Sequence, residues 1–94
     1  MATIEIKRSV IRVLRRLDRP TRQRIMAALD KLAEDPERRD LDVVPLAGEP
    51  KDVPSAFRLR VGDWRVLFGR QQQRDGDVIT VQVIRRRGDA YKQR

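Results

Sequence analysis

The stretch Phe57-Arg58-Leu59-Arg60-Val61-Gly62-Asp63-Trp64-Arg65-Val66-Leu67-Phe68 admits few folds. Two short runs rich in strand formers flank a Gly-Asp pair, the chemistry of a two-residue hairpin loop. With Gly62 and Asp63 as the loop, Val61 faces Trp64, Arg60 faces Arg65 and Leu59 faces Val66. Side chains alternate across a strand. Phe57, Leu59, Val61, Trp64, Val66 and Phe68 therefore form one apolar face, and Arg58, Arg60 and Arg65 project from the other. Like charges directly opposite each other destabilise a strand pair. Arg60 against Arg65 thus calls for an anion, either an internal carboxylate such as Glu49, Asp52 or Asp63, or a bound one. The hairpin reads as a polyanion site on a rigid sheet.

The charge balance agrees. The chain carries 22 basic and 14 acidic residues, a formal charge of +8, and its pI of about 11.2 is in the range of nucleic-acid binders. A field of this sign attracts polyanions and speeds encounters with them. Most of the cations are arginine, whose planar fork grips phosphate through two hydrogen bonds. The plainer reading of the same numbers is a solvated, charge-rich surface. Cysteine and histidine are both absent, which removes disulfides, thiolate metal sites and the commonest general acid–base group. Any catalysis must run on Arg, Lys, Tyr or carboxylates.

Length fits a single domain spanning residues 1–94, large enough to bury roughly 60–70% of its unfolded surface. No apolar run approaches the ~20 residues of a membrane span, and no signal-peptide pattern is present. The cytoplasm is the expected compartment, with no membrane partner.

Ile4 and Ile6 alternate with Thr3, Glu5 and Lys7, which predicts a first strand. Ser9 is a candidate N-cap for an amphipathic helix carrying Val10, Ile11, Val13, Leu14 and Leu17, with Arg12, Arg15 and Arg16 on its wet side. Pro20 suits the first turn of a second helix with Ile25, Met26, Leu29 and Leu32 on one stripe, closed by Asp35-Pro36. Residues 36–55 hold four of the five prolines and read as a long loop pinned at Leu46. The hairpin strands follow at about 56–61 and 64–70, then a polar turn, then a third strand at 78–84. That strand places Ile79, Val81 and Val83 on one face and Val78 and Ile84 on the other, as a central strand would. Arg85-Arg86-Arg87 stands at its end, followed by a tail or single helical turn. The order β-α-α-β-β-β, with a short terminal helix, is an α+β domain: a mostly antiparallel sheet, a helical hairpin on one face and a basic concave face on the other.

The arginines of the hairpin and the Arg85-Arg86-Arg87 run can converge on one or two phosphates, because adjacent strands lie about 4.8 Å apart. Tyr91, one of four aromatics, suits stacking on a base or anchoring the tail. With Leu29-Asp30-Lys31-Leu32, Asp35-Pro36, Pro45-Leu46-Ala47-Gly48, the arginine hairpin and Val83 to Tyr91 in this order, the chain resembles the RelE/ParE superfamily of toxins from bacterial toxin–antitoxin pairs, in its RelE branch.

The resemblance implies an mRNA endoribonuclease that acts in the A site of the 70S ribosome, needs no cofactor, and is restrained by a cognate antitoxin. It implies that Arg58 and Arg60 fill two basic hairpin positions, that Arg65 clamps phosphate, that Arg87 is the distal arginine and that Tyr91 is the C-terminal tyrosine. Arg85 and Arg86 are alternates for the distal position and, with Lys92, RNA contacts. Some members carry lysine where this chain has Arg58, and a guanidinium does not readily give up its proton. The base then falls to Tyr91, to a carboxylate such as Glu49, or to the ribosome. Two other readings share these residues: a ParE-like inhibitor of DNA gyrase, and a non-catalytic module that binds RNA or antitoxin.

Overall fold

The structure, a computed structural model, describes residues 2–46 and 57–87. The elements run β1 (Thr3–Ile6), α1 (Arg8–Arg16), α2 (Arg19–Glu34), β2 (Asp42–Pro45), β3 (Phe57–Val61), β4 (Trp64–Gln71) and β5 (Val78–Arg86). The five strands form one sheet in the order β1-β5-β4-β3-β2. Only the β1–β5 pair is parallel; the others are antiparallel. The α+β class and the mostly antiparallel sheet are those read from the sequence.

Each element buries the stripe its pattern supplies. Val10 and Leu14 of α1 and Ile25, Leu29 and Leu32 of α2 pack with Leu59, Val66, Phe68, Ile79, Val81 and Ile84 of the sheet. Phe57 stacks on Phe68 with ring centroids 5.5 Å apart, the offset geometry aromatic pairs favour. Ile4 and Ile6 of β1 join the rim of this core. Ala2 N–H donates to the Ala33 carbonyl, 2.7 Å, tying the start of β1 to the end of α2. Among the described residues no helix is long and apolar enough to cross a membrane.

Three details differ from the sequence reading. Residues 42–45, expected inside a long loop, form β2 against β3, with Val43 opposite Leu59. The N-cap of α1 is Lys7, without a side-chain cap; Ser9 lies inside the helix. The third strand runs to Arg86, so Arg85 and Arg86 are strand residues and not a run beyond its end. The expected terminal helix falls outside the described residues.

The start of α2 is conventional. Asp18 is its N-cap, Pro20 lies in the first turn, and the Asp18 carboxylate accepts from Thr21 N–H at 3.2 Å. That bond holds the Asp18 carboxyl below its ordinary range. A carboxyl depressed by folding stabilises the native state above its unfolded pKa, near 4, and loses that contribution as the pH falls through the folded value. Asn caps about as well as Asp without titrating. The thermal midpoint of wild type is therefore expected to fall more steeply than that of Asp18→Asn below about pH 4. Parallel curves in a pH series of thermal melts would show that the cap charge contributes nothing.

Candidate nucleic-acid interface

The hairpin register is the one its sequence implies: Val61 pairs with Trp64, Arg60 with Arg65 and Leu59 with Val66. Gly62 takes φ +58° at the turn, a conformation that costs a side chain with a Cβ roughly 1–2 kcal/mol. A Cβ there would also meet Arg24 Nη2 at 3.0 Å. The guanidinium of Arg24, on α2, thus lies against the hairpin turn, a contact that helix periodicity alone does not reveal.

Across the sheet the register continues from β3 and β4 into β5. Arg65 is opposite Arg85, Trp64 is opposite Arg86, and on the other edge Asp42 of β2 is opposite Arg60. Four strands therefore contribute one row, Asp42–Arg60–Arg65–Arg85, on the face away from the helices. With strands about 4.8 Å apart, the three arginine positions span roughly 10 Å, the reach of neighbouring phosphates on one strand. Arg58 stands next to this row on β3, two residues from Arg60 on the same face.

Arg85 reaches the row because of an irregularity between Leu67 and Phe68. Before it Leu67 is opposite Val83; after it Phe68 is opposite Val81, not Gln82. The extra residue on β5 breaks strict alternation, as a β-bulge does. Val81 and Ile84, three apart, both lie in the core, whereas Val83 does not. This corrects the sequence reading, which put Val83 with Ile79 and Val81 and set Ile84 on the other face. A strand without the bulge would send Arg85 toward the helices.

The remaining arginines divide by environment. Arg86 pairs with Trp64, on the alternate face from the row. Arg87 follows the end of β5, exposed, and its N–H donates to the Asp63 carbonyl, which holds it beside the hairpin turn. Arg70 is committed elsewhere: it reaches Asp77 Oδ2 at 2.6 Å and Glu37 Oε2 at 2.7 Å. Burial opposes its charge, but these hydrogen bonds outweigh that and raise its pKa.

Arg58 Nη2 bonds Asp42 Oδ1 at 3.0 Å. Among the described residues its acidic partner is thus Asp42 and not Asp63; Glu49 and Asp52, like Tyr91 and Lys92, lie outside the described residues. The sequence carried one usable signal for Asp42, its place beside Val43 and Val44 opposite a basic hairpin.

No family model matches the chain, and no curated protein does. Solved structures do. A chain of the archaeal RelE–RelB complex from Pyrococcus horikoshii OT3 aligns at a TM-score of 0.73 and 26% identity, over 94% of this chain and 97% of that one. The RelB–RelE antitoxin–toxin complex from Methanococcus jannaschii aligns at 0.66 and 16% identity, over 96% and 98%. A mutant of the E. coli toxin RelE in the free state aligns at 0.61 and 18%, over 94% and 84%. The two lower-identity matches establish likeness of fold. In fold and in the order of its elements, then, this chain is RelE-like across almost its whole length.

Proposed function

We propose that this chain is the toxin of a toxin–antitoxin pair and acts as a ribosome-dependent endoribonuclease on messenger RNA. The observation that carries this reading is the row Arg60–Arg65–Arg85, three cations on adjacent strands of a RelE-like sheet. In the proposed reaction the RNA 2′-oxygen bonds to the adjacent phosphorus and the bond to the 5′-oxygen breaks. The products are a 2′,3′-cyclic phosphate and a free 5′-hydroxyl. The 2′-hydroxyl gives up a proton and the leaving oxygen gains one, so the net charge is conserved. Charge accumulates on the phosphorane oxygens at the transition state, where fixed guanidiniums lower the barrier without reorganising.

For the described arginines, roles follow from position; for Tyr91 and Lys92 they follow from the resemblance. Arg65, central in the row, clamps the scissile phosphate, with Arg60 and Arg85 on either side. Arg58 holds a flanking phosphate, and Arg87 extends the basic rim at the turn. Tyr91 stacks on or orients the nucleotide, and Arg86 and Lys92 are further RNA contacts. The proton acceptor is not an arginine; Tyr91 and Glu49 have suitable chemistry. The RelE–RelB complexes among the structural neighbours support a cognate antitoxin as partner, and a charge of +8 favours an acidic segment covering the basic face.

The test is mapping of messenger RNA 5′ ends in cells after the chain is induced without a partner. Codon-phased cuts within translated frames are expected. Growth arrest with intact messages would overturn the nuclease reading in favour of gyrase inhibition. Neither arrest nor cuts would leave a binding module.

A further inference from the structure

The Arg58–Asp42 contact is an ion pair beside a row whose other described members, Arg60, Arg65 and Arg85, are cations. Asp42 is the one acid in its row, directly opposite Arg60 and in hydrogen-bond contact with Arg58. Its side chain is 48% exposed, and that of Arg58 19%. The pairing is also incomplete: Arg58 Nε is buried with no hydrogen-bond partner among the described residues. A buried donor left unsatisfied is unfavourable, so the guanidinium gains by moving to a fuller set of acceptors. A phosphodiester offers two anionic oxygens where Asp42 fills one donor.

We infer that Asp42 is an internal anion that occupies Arg58 in the unbound protein and competes with an RNA phosphate for it, setting how tightly the arginine face holds RNA. The inference rests on the proposed RNA-binding role of this face. Its sign is fixed by two effects that act together. Asp42 withholds Arg58 from the strand, and its negative charge repels a phosphate entering beside Arg60. Benefits to the free protein follow from the same pair, since Asp42 offsets the repulsion between Arg58 and Arg60, its hydrogen-bond partner and its register neighbour.

The probe is a 12-nucleotide polyuridine RNA, its binding to the purified chain measured against salt concentration. Asp42→Asn keeps the side-chain shape and removes the charge. It is expected to tighten binding up to about fivefold at low salt, the scale of one exposed ion pair, and to steepen the slope of log K against log salt by about 0.7, one added phosphate contact on a single strand. Asp42→Glu should stay close to wild type. Asp40→Asn raises the net charge equally but removes a carboxylate that is paired with Arg38 outside the row, and it should leave the slope unchanged.

Equal tightening by Asp40→Asn would reduce the effect to net charge and overturn the inference. Weaker binding by Asp42→Asn would overturn it too, making Asp42 a support that holds Arg58 in its binding position. Salt-dependent binding by wild type that Asp42→Asn leaves unaltered would sink the inference while the RNA-binding reading stood. No binding by any variant at low salt would remove that reading and the inference with it. Thermal melts of each variant establish that all are folded.

Discussion

Arg65→Ala is expected to abolish growth arrest and to cut messenger RNA cleavage by about 100- to 1000-fold, the scale of losing one preorganised charge donor at a reacting phosphate. Arg65 is central in the row, between Arg60 on β3 and Arg85 on β5, so no neighbouring cation can take its place without leaving its own strand position. The loss belongs in the chemical step and not in folding. Arg65 is not part of the core cluster, and its register neighbours across the strands are Arg60 and Arg85. The measurement is 5′-end mapping beside a thermal melt. Full toxicity in a folded Arg65→Ala protein would mean that the phosphate site lies elsewhere. Arg85→Ala and Arg86→Ala sharpen the comparison. They are adjacent in sequence, yet only Arg85 shares the row, so Arg85→Ala should be the more damaging.

Phe68→Ala is expected to have the largest effect on stability. Phe68 is 2% exposed, stacks on Phe57, and belongs to the core cluster that the buried residues of both helices share with the sheet. Truncating a buried Phe removes its transfer free energy and leaves a cavity, at about 3–5 kcal/mol. A domain this small has roughly 5–15 kcal/mol in total, so the variant should approach the threshold of folding. Its melting temperature should drop on the order of 20 °C. Leu67→Ala serves as the internal comparison: it is one residue earlier on β4, half-buried on the opposite face, and should lose much less. Urea titration of both checks this. Similar losses at the two positions would mean that the sheet is covered on both sides.

Most of the architecture is legible locally. Apolar spacing marks Val10, Leu14, Ile25, Leu29 and Leu32 as helix faces turned to a core. The Gly62-Asp63 loop forces Arg60 and Arg65 into opposition because a two-residue hairpin leaves no other register. β2 is different. Asp42-Val43-Val44-Pro45 is four residues long and carries a proline, so it has no strand signature of its own. It becomes a strand because β3 offers an unpaired edge and Val43 can cover Leu59.

The site divides in the same way. Arg58, Arg60 and Arg65 share a face by alternation alone, and any chain with this dodecapeptide hairpin would present them together. Which arginine of the Arg85-Arg86-Arg87 run joins them depends on the extra residue that β5 carries opposite Leu67 and Phe68. That bulge arises where β4 and β5 must both keep apolar side chains in one core, a requirement set by residues far apart in the chain. Asp42 likewise meets Arg58 across 16 positions of sequence. Short-range chemistry decides which side chains travel together along a strand; pairing between strands decides which of those groups meet, because register is a property of two segments and is written in neither.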